Sequence, residues 1–142
     1  MARSEDWPAV AALLAELGRP DVRGDARESD YERMFAAYLE RPDAVALVAE
    51  RDDRVVGFLD MEYRIRLNHQ TPQAWIPDFV VAEGERSAGI GKALLGRAVE
   101  LARERRCWSI TLESANWRVD AHRFYQREDW TDAAKSFGKL LE

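Results

Sequence analysis

The sequence is short of the residues that build disulfides and metal sites. It holds one cysteine, Cys107, and two histidines, His69 and His122, in 142 residues. A single cysteine excludes an intrachain disulfide. These three residues show no metal-ligand spacing, so no metal is expected. Cys107 opens an apolar run and reads as a small core residue rather than a nucleophile. Long apolar stretches are missing as well. None reaches membrane-spanning length, and Met1-Ala2-Arg3-Ser4-Glu5-Asp6 lacks the apolar segment of a secretory signal. The expected location is the cytoplasm, with no membrane partner. Nor is there a basic excess: 21 Lys and Arg stand against 26 Asp and Glu, a net charge of −5, which argues against nucleic acid as a partner. Repeats and low-complexity segments are absent.

What is present is material for a core. Hydrophobic residues make up 46% and charged residues 33%, with five tryptophans and five phenylalanines, so a single globular domain over residues 1–142 is expected. Ser4-Glu5-Asp6 ahead of Ala9, Val10, Leu13, Leu14 and Leu17 predicts a helix capped by Ser4 and ended by Gly18. A polar loop follows, then a helix from about Ser29 to Glu40, with Tyr31, Met34, Phe35, Tyr38 and Leu39 on its apolar side and Pro42 behind it. Strands are expected over Ala44–Glu50, Val55–Leu67 and Ala74–Val81, the first two joined by a turn at Arg51-Asp52-Asp53-Arg54. Gly57 suggests a bulge or a close backbone approach, and Pro77 a disturbed ladder. A helix after Gly91, a strand over Trp108–Leu112 and a helix over Val119–Arg127 come next. Trp130–Ala133 and Phe137–Leu141 read as a closing hairpin. The order predicts a mixed α/β fold with a largely antiparallel sheet and helices on its faces.

The most informative stretch is Asp78 to Leu95. An apolar run, Phe79-Val80-Val81, gives way to a polar turn, and Gly89 and Gly91 open a long amphipathic helix. A glycine turn feeding a helix start presents free backbone N–H groups and the positive end of the helix dipole, which together make an anion site. Two nucleotide patterns fail here. A Walker A motif would need glycine at Arg86 and a hydroxyl at Ala93; a Rossmann fingerprint would need glycine at Leu94. What remains, Arg86 to Gly91, is Arg-x-x-Gly-x-Gly. It resembles the acetyl-CoA signature of the GNAT N-acetyltransferase superfamily, Gln/Arg-x-x-Gly-x-Gly/Ala. A second stretch, Asn116-Trp117-Arg118-Val119-Asp120-Ala121-His122-Arg123-Phe124-Tyr125, resembles the family's Asn-x4-Ala-x-x-Phe-Tyr signature. Its wording is closer to small-molecule acetyltransferases, including aminoglycoside-type ones, than to the ribosomal-protein type. Two departures stand out. Asp129 replaces the helix-ending glycine, and only Met1 to Arg3 precede the first helix, so the family's first strand is truncated or missing.

The resemblance implies the GNAT fold: a mostly antiparallel sheet with a splayed parallel strand pair and helices on both faces. It implies an enzyme that moves an acetyl group from acetyl-CoA to a primary amine by direct attack in a ternary complex. The N–H groups of Ser87, Ala88, Gly89, Ile90, Gly91 and Lys92, with the charges of Arg86 and Lys92, would hold the pyrophosphate. Phe79 and Val81 would bond the pantetheine arm, as would Asn116, which otherwise reads as an N-cap. Tyr125 would be the acid toward the CoA sulfur, against an ordinary core aromatic. Asp78 is acidic inside an apolar strand, a costly placement unless paired or open to a cleft. It reads either as the base that takes the ammonium proton or as half of an ion pair with a nearby arginine. Glu113 is a second base candidate and a substrate contact. His69 reads as an exposed turn residue. Asp21, Asp25, Glu28 and Asp30 give the Gly18–Glu28 region an acidic character that either suits a small cationic amine or is a solvated loop. Tyr31, Trp75 and Trp117 would wall the acceptor by cation–π contact. A homodimer is left open. The alternatives are a non-catalytic acyl-CoA-binding module, a protein N-terminal or lysine acetyltransferase, and a nucleotide switch, which the motif spacing disfavours.

Overall fold

The computed structural model describes residues 1–86, 88–114 and 118–141. They fall into two compact units, Met1–Thr111 and Leu112–Glu142. The first begins with α1 (Trp7–Glu16) and α2 (Glu28–Leu39). A five-stranded sheet follows: β1 (Ala44–Arg51), β2 (Arg54–Arg64), β3 (Gln73–Ile76), β4 (Phe79–Val81) and β5 (Ser109–Leu112), with α3 (Ile90–Glu104) between β4 and β5. The strands run in the order β1-β2-β3-β5, with β4 beside β2. β2 pairs antiparallel with β1, β3 and β4. The β3–β5 pair is joined through the crossover helix and supplies the parallel character of the mixed sheet.

Alternation along β2 sorts the two faces. Phe58 packs with Ala46 and Val80 against Trp7, Val10, Leu13 and Phe35 of α1 and α2. The intervening Gly57 lies under α3, where an added Cβ would stand 2.9 Å from Leu94 Cδ1 and 3.2 Å from Ile90 Cγ2. Glycine at this position therefore reflects close approach of α3. The pairing irregularity lies opposite, between Ala49 and Glu50. α3 buries Leu94, Leu95, Ala98 and Ala102, one stripe at helical spacing. Burying each leucine contributes about 1.5–3 kcal/mol, and this seats the helix start firmly on the sheet.

Three expectations change. Asp6, not Ser4, stands at the N-cap position of the first helix: a 3-10 turn over Ser4–Asp6 precedes α1, and Asp6 Oδ2 reaches back to accept the Arg3 N–H at 2.8 Å rather than an N–H of α1. The strand expected over Ala74–Val81 breaks at Pro77 and Asp78, because proline has no N–H for the ladder. The closing hairpin does not form: residues 130–141 hold no strand, and Phe137, Leu140 and Leu141 are 90%, 95% and 89% exposed. The segment lacks period-two alternation and a tight-turn dipeptide, and an isolated hairpin is marginal in water. Ahead of the first helix the Ala2 N–H donates to Ala46 O at 2.9 Å, a strand-like bond to β1. The second unit carries α4 (Val119–Arg127), as expected from the sequence. Asp129 closes it in the left-handed region at φ 65°, while the Trp130 N–H reaches back to Tyr125 O at 2.9 Å.

Candidate active site

The start of α3 is an open anion cradle. Gly89, its N-cap, sits at φ 77° and has no side chain with which to cap the helix. Ala93 is the first residue of the turn bonded back, to Gly89 O at 3.1 Å. The N–H groups before it, on Ile90, Gly91 and Lys92, have no intrahelical acceptor and share the dipole's positive end. Lys92 is exposed beside them. Arg86 is exposed too and turns back, its Nε donating to Val81 O at 3.2 Å. Glu85 ties this loop to the β1–β2 turn through Arg51 at 3.0 Å and Arg54 at 3.5 Å. Ser87 and Asn116, expected cofactor contacts, and Trp117, an expected acceptor wall, lie outside the described residues.

The strand break is the second feature. Trp75 faces Glu62 and Phe79 faces Leu59, so four steps along β3–β4 match three along β2. One extra residue is accommodated, a bulge that re-aims the chain. Beyond it β4 pairs with β2, while β5 stays beside β3. The two central strands thus separate at Asp78, and Phe79 and Val81 lie half-buried on the separated part. The Asp60 N–H still donates to Asp78 O at 3.1 Å, but the Asp78 N–H goes to Asp60 Oδ1 at 2.7 Å, a side chain standing in for the lost ladder bond. Asp78 Oδ1 accepts from Arg19 Nε at 3.0 Å, so the ion pair weighed for Asp78 is formed.

Asp60 is the residue that sequence reasoning missed. Burial first, and the neighbouring charge of Asp78 second, push its carboxyl up to about 8. A signal was available: Asp60 interrupts the apolar face begun by Val56 and Phe58, the same argument that singled out Asp78. Tyr38 belongs to this cluster. Burial, then the charges of Asp60 and Glu62, raise its phenol, and its hydroxyl is enclosed with no hydrogen-bond partner among the described residues.

Of the expected acceptor aromatics, Tyr31 and Trp75 lie in the same unit, each with an arginine of the chain over its ring. Arg64 stands 4.6 Å from the Trp75 centroid and Arg27 stands 6.0 Å from that of Tyr31. His69 stacks on Trp108 at 3.8 Å, which gives it a surface packing role. In the second unit Tyr125 is buried on α4, packed edge-on to Phe124 at 5.6 Å and tilted to Trp130 at 6.2 Å. Burial raises its phenol, partly countered by Arg118. Such a phenol keeps its proton at neutral pH and can give it up to a stronger base. Glu113 is exposed just after β5.

Residues 8–129 match the model of the acetyltransferase (GNAT) family. The chain belongs to that family. As a GNAT member it is an N-acetyltransferase, and the strand separation at Asp78 followed by the uncapped α3 is the family's architecture in this chain. Aminoalkylphosphonate N-acetyltransferase of Salmonella typhimurium is 34% identical over 143 residues, 99% of this chain and 88% of the relative. Two solved structures share the fold. One is a protein of Bacillus halodurans C-125 described as a transcriptional regulator, with TM-score 0.88, 24% identity and coverage of 99% and 96%. The other is glucosamine-6-phosphate N-acetyltransferase of Arabidopsis thaliana, with TM-score 0.84, 17% identity and coverage of 99% and 95%. No helix among the described residues of this GNAT chain is long and apolar enough to cross a membrane.

Proposed function

We propose that this enzyme transfers an acetyl group from acetyl-CoA to the primary amine of a small molecule, cationic amines being favoured. The observation that carries the reading is the uncapped glycine start of α3 directly after a strand that has parted from its neighbour. The first gives a pyrophosphate its N–H donors. The second sets Phe79 and Val81, half-buried on the parted strand, where strand-type bonds to the amides of a pantetheine arm can form. Arg86 and Lys92 add charge at the phosphate end, and Ser87, Ala88, Gly89, Ile90, Gly91 and Asn116 complete the cofactor contacts.

The acceptor enters over the sheet face shared by Trp75, Asp78 and the α2 side chains, with Tyr31 at its margin; Glu113 of the second unit is proposed as a further substrate contact. The ammonium gives a proton to a carboxylate at the strand break, Asp78 in the simplest assignment. The freed lone pair attacks the thioester carbonyl, the C–N bond forms and the C–S bond breaks. The electron pair leaves on sulfur, which takes a proton from Tyr125, and the nitrogen gives up its second proton to restore the phenol. A relative named for aminoalkylphosphonates supports a small amine as acceptor, and its name puts an anionic amine on the test panel. No metal is assigned a step.

The test is thiol release from acetyl-CoA across aminoalkylphosphonates, polyamines, aminoglycosides, amino acids and peptide N-termini. The expected result is amine-dependent release, strongest with a small amine. Acetyl-CoA binding without release for any amine would make the chain a non-catalytic acyl-CoA module instead.

A further inference from the structure

We infer that the carboxylate taking the proton from the acceptor ammonium is Asp60, with Asp78 serving as the fixed anion that draws the amine to it. This rests on the acetyl-transfer reading above and refines its proton step. Three observations carry it. Asp78 is already committed, its Oδ1 to Arg19 Nε at 3.0 Å and its carbonyl to the Asp60 N–H at 3.1 Å. Asp60 is held in place by the bulge itself, since its Oδ1 accepts the Asp78 N–H at 2.7 Å. Buried beside the charge of Asp78 and away from the arginine, Asp60 holds its proton more tightly than an ordinary carboxyl. Third, the Tyr38 hydroxyl, enclosed without a partner among the described residues, lies within electrostatic reach of both. It is an unused group that can accept an N–H of the incoming amine.

The charged and titratable groups around Asp60 come from each element packed there. They are Tyr38 on α2, Glu62 on β2, Asp78 in the bulge and Arg19 beyond α1. Arg41 sits over the Tyr38 ring at 5.2 Å and bonds Glu62 at 3.0 Å. Burial and the Asp78 charge raise the Asp60 carboxyl to about 8. That makes it a far better match than an ordinary carboxylate for an alkylammonium proton. In the step, the ammonium proton moves to ionised Asp60, the freed lone pair forms the C–N bond as the C–S bond breaks, the electron pair leaves on the CoA sulfur with the Tyr125 proton, and the nitrogen's second proton restores the phenol.

The experiment is the pH dependence of kcat/KM for thiol release with the best amine of the panel, for wild type, Asp60→Asn and Asp78→Asn. Acetyl-CoA affinity is measured by calorimetry, and the Asp60 carboxyl is followed by 13C NMR. Wild type is expected to gain activity through a limb near pH 8. Asp60→Asn, which still accepts the Asp78 N–H, should lose the limb and roughly 100-fold or more in kcat, with acetyl-CoA affinity unchanged. Asp78→Asn should move the limb to lower pH, because the like charge is gone, and should raise KM for the amine, because the anion that draws it is gone. The reverse pattern, with Asp78→Asn abolishing the limb and Asp60→Asn leaving it, overturns the assignment while leaving acetyl transfer standing. An Asp60 carboxyl that titrates in the ordinary range also overturns it, whatever the turnover. Wild type that binds acetyl-CoA but releases no thiol with any amine overturns the acetyl-transfer reading itself.

Discussion

At the scale of single residues, Asp60 and Tyr125 are polar groups that burial has shifted, each in a direction that can be tested. An acid whose folded pKa lies above its unfolded value is bound to its proton more tightly in the folded state. Its burial therefore does not penalise folding below the unfolded pKa of about 4. The penalty grows as pH rises toward about 8 and levels off above it. The slope from this group alone is at most about 1.4 kcal/mol per pH unit. Asp60→Asn should therefore melt higher than wild type at pH 9 and gain little at pH 5, as read by Tm across that range. Tyr125→Phe keeps the ring packing against Phe124 and Trp130 and removes only the hydroxyl. It should lower kcat by about 10- to 100-fold with little change in acetyl-CoA affinity; unchanged turnover in steady-state kinetics would remove Tyr125 as the acid.

At the scale of elements, the cofactor end depends on where α3 starts. Gly57 lets the first turn of α3 sit on β2, with Ile90 and Leu94 against it. Gly57→Val should cost about 1–3 kcal/mol in stability by overpacking. It should also weaken acetyl-CoA binding, because the N–H cradle moves with the helix; denaturation and calorimetry read the two effects separately. The end of α4 offers the opposite case. Asp129 holds φ 65°, a conformation that costs a non-glycine residue about 1–2 kcal/mol. Asp129→Gly should remove part of that strain and raise Tm, with turnover unchanged.

At the scale of the molecule, order should be uneven. In the first unit two helices lock one face of the sheet and α3 the other, whereas the second unit has α4 as its only helix or strand of more than one residue among the described residues. Backbone amides of α4 should exchange with solvent faster than those of β2 in hydrogen-exchange measurements. The exposed tail makes a companion case. With Phe137, Leu140 and Leu141 open to solvent, removing residues 135–142 should leave Tm within about 0.5 kcal/mol equivalent of wild type.

Much of this was legible in the residues themselves. The helix over Val119–Arg127, the turn at Asp52 and Asp53, the left-handed Asp129 and the glycine start of α3 follow from local chemistry. Turn geometry, helix caps and side-chain period are set by neighbours a few positions apart. The sequence likewise excludes disulfides, since one thiol has no second thiol to join. What tertiary structure decided is what depends on distant partners. Gly57 is glycine because α3 crosses it, thirty-odd residues later. Asp78 could be weighed only as base or ion pair until Arg19 was beside it. Asp60 was not singled out from the sequence at all; the one-residue bulge at Pro77 brings it against Asp78. A carboxyl's basicity is a property of its surroundings, and those are assembled by the fold, not by the chain order.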